Sequence, residues 1–155
     1  MRLWNGWGKE NSELLMELNS GLKGLLEALV GSGKPLPEAT LAEVIACVPT
    51  SRAPAHALIS TDPEIRVRHA RGQSLPDWLA MHSGDVGHFP DAVAVPESSA
   101  QVRELLGYAK DNDIDVIPYG GGTSVVGHIN PQASARPVLT IDMGAMNKLI
   151  DIDQQ

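Results

Sequence analysis

Three consecutive glycines directly after an apolar run constrain this chain more than any other feature. Residues 114–118 are largely apolar, and Gly120, Gly121 and Gly122 follow one residue later. Glycine has no Cβ, so it can take a positive φ and let a ligand approach the main chain closely. Several N–H groups can then converge on one point and bind an anion without a cationic side chain. The pattern predicts a strand and an anion-binding loop, with a turn that only reverses the chain as the alternative. The loop comprises Pro118, Tyr119, Gly120, Gly121, Gly122, Thr123 and Ser124.

Two common nucleotide-binding loops do not fit this segment. A Walker-type loop requires a lysine after its last glycine, and His128 follows Gly127 here. A Rossmann fingerprint requires a third glycine where Val125 stands, and prolines rather than a helical stripe follow it. The sequence therefore argues against ATP or GTP hydrolysis and against an ordinary NAD site.

The residues around the loop predict alternating strands and one helix. Residues 90–96 form a short apolar strand between prolines, and a serine that follows can cap a helix ending near Lys110. The strand of residues 114–118 and the glycine loop come next, and residues 138–142 and 149–153 predict two further strands. The turn between those two runs through residues 144–147.

With these residues in view, the chain resembles the flavoenzymes that have a vanillyl-alcohol-oxidase type (PCMH) FAD-binding domain. The spacing of Pro90, Val93 and Pro96 in the first strand and the glycine loop match that family. Within it, the chain is most similar to the alkylglycerone-phosphate synthases and bacterial FAD-linked oxidases. Four segments carry this likeness: Trp-Asn-Gly-Trp-Gly at 4–8, Arg-Gly-Gln-Ser-Leu-Pro-Asp at 71–77, the loop with Val125 at 118–125, and Asp-Met-Gly-Ala-Met-Asn at 142–147.

The resemblance implies an α+β fold in which a helical N-terminal region, residues 1–84, precedes the first half of a PCMH-type FAD-binding domain, residues 85–155. It implies FAD as the cofactor and loop residues 118–124 as the segment that binds its diphosphate. The matched positions include no catalytic residue of the family. The chain therefore resembles an N-terminal piece of such an enzyme, which we expect to be inactive by itself.

The N-terminal region predicts three helices. Residues 14–30 are leucine-rich but interrupted by charges, so they predict an amphipathic helix that packs on the rest of the protein rather than a membrane span. Asn11 or Ser12 is its candidate cap and Gly31 its stop. A capping box at residues 40–43 predicts a helix ending before Pro49, and Ser74 predicts a third one ending at Gly84.

Composition narrows the possible partners. A net charge of −7 and the absence of clustered Lys and Arg argue against nucleic acid. The five histidines and Cys47 show no zinc-ligand spacing, so no metal site is predicted. Cys47 lies in an apolar helical pattern and is expected to be buried and inert, and no secretory signal is visible, which favours the cytoplasm.

Two classes of function follow. In the first, the chain is the FAD-binding portion of a flavoenzyme, which forms an ether lipid from an acylglycerone phosphate and a fatty alcohol or, alternatively, oxidises a 2-hydroxy acid. Its partners are then FAD and a small, lipid-like substrate, and a homodimer is allowed. In the second, the chain is a non-catalytic nucleotide-binding module.

Overall fold

The computed structural model describes residues 3–8, 19–34 and 38–153. Within these ranges the chain forms five α-helices, four strands and one 3₁₀ helix. The helices are α1 (Ser20–Val30), α2 (Leu41–Ala46), α3 (Pro63–Arg68), α4 (Leu75–Ser83) and α5 (Ser99–Asp111). The strands are β1 (Ile59–Ser60), β2 (Ala92–Ala94), β3 (Asp115–Tyr119) and β4 (Val138–Asp142), and the 3₁₀ helix is Met143–Ala145. This is an α+β fold, as predicted.

One mixed sheet, in the order β1-β2-β4-β3, organises the molecule. Strands β2, β4 and β3 are parallel, whereas β1 is antiparallel to β2. Parallel strands need long crossover connections, and α5 lies in the one from β2 to β3, the two strands that flank β4. The carboxyl ends of β2, β4 and β3 therefore lie at one edge of the sheet. The last residue of β3, Tyr119, is level with the last residue of β4, Asp142.

Two apolar clusters form the core. In the first, Leu105 and Ala109 of α5 pack on the sheet, with Leu139 of β4 fully buried between its neighbours. The second joins α2 to α3 through Val44 and Val67 and includes Val86. Trp4 packs against this second cluster, which holds part of the N-terminal segment on the body of the protein.

The predicted helix boundaries at caps are confirmed. Thr40 and Glu43 form the capping box of α2, and Ser74 caps α4. Gly84 ends α4 with φ +79°, a left-handed conformation that favours glycine. Ser98 is the serine that caps α5.

Three predictions about the fold are wrong. Residues 149–153 form no strand. Leu149 and Ile150 are exposed, since strand propensity produces a strand only where a neighbouring strand pairs with the segment, and no described strand does so here. Cys47 is exposed, because it follows the last turn of a six-residue helix and lies on its outer side.

None of the residues of α1 is buried, so this part of the predicted helix does not pack on the body.

The start of that first helix differs as well. Asn19 caps α1 by accepting from the N–H of Leu22, and Gly31 ends it as predicted. The predicted caps Asn11 and Ser12 lie outside the described residues. Strand β1 and helix α3 were not predicted, since residues 50–71 show little periodicity. None of the described helices is long and apolar enough to cross a membrane.

Candidate functional site

The glycine loop lies where parallel strands end, at the carboxyl edge of the sheet. Strand β3 ends at Tyr119, and Gly120 to Ser124 turn away from it. Ligands of open α/β sheets bind outside the carboxyl ends of parallel strands. Gly120, Gly121 and Thr123 are exposed, so the loop is open to the outside.

The main chain of the loop offers hydrogen-bond donors. Gly122 is buried with φ +68°, a conformation in which a side chain would be strained. Within the described part of the chain, the backbone N–H groups of Gly122, Thr123 and Ser124 donate to no protein group. Gly122 is buried and Ser124 is half-buried, and amides in such positions are normally paired, so these donors and the exposed amide of Thr123 between them are positioned to meet a ligand.

Among the described residues, little protein lies next to Gly120 and Gly121. A Cβ built on Gly120 meets no atom within 4 Å, and one on Gly121 meets only Thr123 Cγ2 at 3.7 Å. A ligand can therefore approach the main chain at Gly120 without displacing a side chain. This is the arrangement expected of an anion-binding loop.

The first two residues of the predicted segment differ from the rest. Pro118 is exposed on the edge strand β3. Tyr119 is 4% exposed, and its ring packs on His69 with the ring centroids 4.7 Å apart. Its hydroxyl reaches the carbonyl oxygen of Arg68 at 3.5 Å. The side chain of Tyr119 thus supports the sheet edge and does not line the open side of the loop.

His69 and Asp142 form an ion pair beside the loop that the sequence did not predict. His69 Nε2 lies 3.1 Å from Asp142 Oδ2, and His69 Nδ1 lies 2.7 Å from the carbonyl oxygen of Ile65. The other oxygen of Asp142 accepts from the N–H of Gly144 and caps the 3₁₀ helix. This pair ties α3 to the end of β4, next to the end of β3.

His128 contacts the far end of the loop. Its Nδ1 lies 3.0 Å from Ser124 Oγ, and the same hydroxyl accepts from the N–H of Val126 at 3.4 Å. His128 is exposed. The hydroxyl of Ser124 therefore bonds within the loop, while that of Thr123 has no partner among the described residues.

Residues 72–77 lie behind the loop. The N–H of Gln73 donates to the carbonyl oxygen of Ser124 at 2.6 Å, and the N–H of Gly72 donates to Asn130 Oδ1 at 2.9 Å. Asn130 Nδ2 donates in turn to Asp77 Oδ1 at 2.6 Å. From the sequence, residues 71–77 were singled out only by their likeness to the family. Nothing in the sequence predicted that they contact the loop.

Comparison with known proteins agrees with this geometry. The model of the FAD binding domain family matches residues 90–155, a range that includes the whole loop. An alkyldihydroxyacetonephosphate synthase of Dictyostelium discoideum is 34% identical over 97 residues, which are 63% of this chain and 16% of that protein. A solved structure of an alkyldihydroxyacetonephosphate synthase superposes with a TM-score of 0.74 at 24% identity, covering 99% of this chain and 34% of that chain. At this identity the superposition shows the fold.

A second group of relatives has a different name. The D-lactate dehydrogenase (cytochrome) of Kluyveromyces lactis is 30% identical over 78 residues, which are 50% of this chain and 14% of that protein. The chain thus spans between 14% and 34% of the length of these proteins. Residues 90–155 match the FAD binding domain family, and the chain is similar to alkyldihydroxyacetonephosphate synthases.

Proposed function

We propose that residues 118–124 bind the diphosphate of FAD. The observation that carries this proposal is the set of three amides at an open sheet edge, on Gly122, Thr123 and Ser124, for which the described residues provide no acceptor. The residues fit the group, because a diphosphate needs several donors at one point and room to approach the main chain. Gly120 leaves that room, and the exposed hydroxyl of Thr123 adds a donor.

The strength of such a site follows from the number of donors. A hydrogen bond to a charged oxygen contributes about 1.5 to 3 kcal/mol net, so three amides contribute about 4.5 to 9 kcal/mol. Ordering of the ligand and of the loop offsets part of this gain. The loop therefore anchors the cofactor but does not hold it alone, and further contacts of the flavin and adenine are required.

For the whole protein we propose an alkyldihydroxyacetonephosphate synthase activity, the formation of an ether lipid from an acylglycerone phosphate and a fatty alcohol. The flavin supplies the chemistry when bound, and this chain supplies position and electrostatics. The support is the longer and more similar match to the synthase of Dictyostelium discoideum than to the lactate dehydrogenase. Oxidation of a 2-hydroxy acid is the second candidate, favoured by the name of that dehydrogenase.

Four further properties of the whole protein belong to this proposal and rest on the sequence and its likeness to the family. They are a small, lipid-like substrate, a cytoplasmic location, a homodimer and the lack of activity in residues 1–155 alone. A non-catalytic nucleotide-binding module is the alternative from another class. It differs in one measurable property, since such a module binds FAD without any residue beyond Gln155.

Titration with FAD separates these functions. We expect residues 1–155 alone to leave flavin fluorescence unchanged and a polypeptide extended past codon 155 to change it at micromolar FAD. The physical reason is that β3 is an edge strand and the loop supplies only part of the contacts that FAD needs. Micromolar binding by residues 1–155 alone would instead favour the autonomous module.

Replacement of Gly120 tests the loop itself. Gly120→Val places a branched side chain where the diphosphate approaches but contacts no protein atom, so we expect the free energy of unfolding to change by less than about 0.5 kcal/mol. FAD affinity should fall at least about tenfold, which corresponds to about 1.4 kcal/mol. Gly107→Val on α5 is the control, because a Cβ there also meets no atom within 4 Å. Equal FAD affinity of the two variants would exclude Gly120 from the site.

A further inference from the structure

The end of the glycine loop is held from behind by a segment outside residues 90–155. The carbonyl oxygen of Ser124 accepts from the N–H of Gln73 at 2.6 Å. A Cβ on Gly72 would come within 3.0 Å of the same carbonyl oxygen, closer than side chains tolerate. Gly72 is therefore required to be glycine by the close approach of the loop, and the two segments have little freedom to shift against each other.

Asn130 makes the second connection between the loop and this segment. Its Oδ1 accepts from the N–H of Gly72 at 2.9 Å, and its Nδ2 donates to Asp77 Oδ1 at 2.6 Å. Its own N–H closes a turn onto the carbonyl oxygen of Gly127. The oxygen and the nitrogen of the Asn130 side chain thus connect the residues after the loop to the start of α4.

The two carboxylate oxygens of Asp77 have separate partners. Oδ2 accepts from Ser74 Oγ at 2.6 Å and from the N–H of Ser74 at 3.1 Å, which completes the capping box of α4. Oδ1 accepts from Asn130 and lies 3.6 Å from Arg71 Nη1. Asp77 is 1% exposed. Only Oδ2 takes part in the cap of α4. The hydrogen bond between Oδ1 and Asn130 is therefore not part of that cap.

We propose that Asp77 and Asn130 are positioning residues for the FAD loop. They fix the backbone around Ser124 so that the free amides of Gly122, Thr123 and Ser124 face the open side of the sheet edge. This inference rests on the proposed function of the loop. Its consequence is that FAD affinity depends on residues 72–77, which contact the loop only from its protein side.

Exchange of the two side chains gives a sharp test. In Asn130→Asp, two carboxylates face each other at hydrogen-bond distance, and in Asp77→Asn the facing amide groups present two donors. In the double variant Asp77→Asn with Asn130→Asp the hydrogen bonds to Gly72, to Ser74 and between the two side chains are restored, and only the 3.6 Å contact with Arg71 is lost. The new carboxylate accepts from Gly72 N–H and from the new amide, whose oxygen accepts from Ser74.

The test uses the longest form of the protein that binds FAD, with flavin fluorescence for affinity and thermal unfolding for stability. We expect each single variant to bind FAD at least about tenfold more weakly, and the double variant to return to within about threefold of the original protein. Asn147→Asp is the control, since it makes the same chemical change on an exposed side chain that has no hydrogen-bond partner among the described residues. If Asn130→Asp does not fold, Asn130→Ala removes both bonds without adding a charge.

Three outcomes would overturn the inference. Single variants that melt at lower temperature but bind FAD with unchanged affinity would show a purely structural role. If the single variants bind FAD weakly and the double variant does not regain FAD affinity, Asp77 and Asn130 do not act as a pair. Failure of the original protein to bind FAD in any form would refute the proposed function, and this inference would fall with it.

Discussion

At the scale of single residues, Asp91 is a buried carboxylate with several polar contacts. It is 3% exposed and accepts hydrogen bonds from the Nε, Nη2 and N–H of Arg52 at 2.7 to 3.0 Å. The N–H of Val138 at the start of β4 donates to it as well. Burial opposes ionisation of this carboxyl, but the hydrogen bonds from Arg52 and Val138 outweigh it, so the pKa of Asp91 lies below its ordinary value.

Asp91→Asn should therefore lower stability in a pH-dependent way. A carboxyl whose pKa is lower in the folded state stabilises the fold above the ordinary pKa, and this contribution is lost as the pH falls through the folded value. We expect a loss of about 2 kcal/mol at pH 7, because the buried carboxylate of Asp91 loses its charge-assisted hydrogen bonds with the half-exposed Arg52. Urea unfolding at pH 7 and pH 3 should show a smaller difference between the original protein and the variant at pH 3.

The control for this prediction is Asp111→Asn, at the exposed end of α5. It should change stability by less than about 0.5 kcal/mol at either pH. A loss at Asp91→Asn that is equal at both pH values would show that the carboxylate charge is not what stabilises this contact.

At the scale of elements, α5 shows how local signals and packing combine. Its inner face buries Leu105 and Ala109 against the sheet, whereas Leu106 is 49% exposed. Ser98 Oγ accepts from the N–H of Gln101 at 3.3 Å, and Gln101 Oε1 accepts from the N–H of Glu97. These reciprocal bonds resemble a capping box and define where the crossover helix begins.

Ser98→Ala should destabilise the protein by about 1 kcal/mol, because it removes the acceptor for an otherwise unpaired N–H in the first turn. Ser99→Ala is the matched control. Ser99 is exposed and its hydroxyl has no partner among the described residues, so the same chemical change should be close to neutral. Chemical denaturation of both variants checks the difference, and equal losses would mean that the cap bond contributes nothing.

At the scale of the whole molecule, strand pairing and hydrogen bonds connect residues before position 84 to residues after it. Strand β1 pairs with β2. Arg66 of α3 is 2% exposed and donates to the carbonyl oxygens of Pro49 and Pro90. Arg52 pairs with Asp91 across the same boundary. The division into residues 1–84 and 85–155 stays a prediction, and these contacts suggest how to test it.

Residues 85–155 expressed alone should lose cooperative unfolding. The cut leaves Asp91 buried without its arginine, removes the antiparallel edge strand and detaches the segment behind the loop. Residues 38–155 are the control, because they keep both apolar clusters apart from Trp4 and omit α1, which buries none of its residues. Thermal unfolding followed by circular dichroism distinguishes the two. A cooperative transition in residues 85–155 would support an independent domain that begins at residue 85.

Local sequence signals were sufficient to predict the helices whose ends are marked by capping residues and the strands with an apolar pattern. The caps at Thr40, Ser74 and Ser98, the stop at Gly84 and the three parallel strands follow from short-range chemistry. Residues 149–153 have comparable strand propensity but no partner among the described strands. Strand β1 is only two residues long, too short to leave a periodic pattern. Propensity acts over a few residues, whereas strand pairing is decided by the whole sheet.

The sequence by itself determined the glycine loop, its place after a strand and its likeness to an FAD-binding domain. Only the tertiary structure decided which amides stay free and what holds them in place. The contact of His69 with Asp142 joins residues 73 positions apart, and that of Asn130 with Asp77 joins residues 53 positions apart. No spacing rule links such pairs, because they meet only after the helices have packed around the carboxyl edge of the sheet.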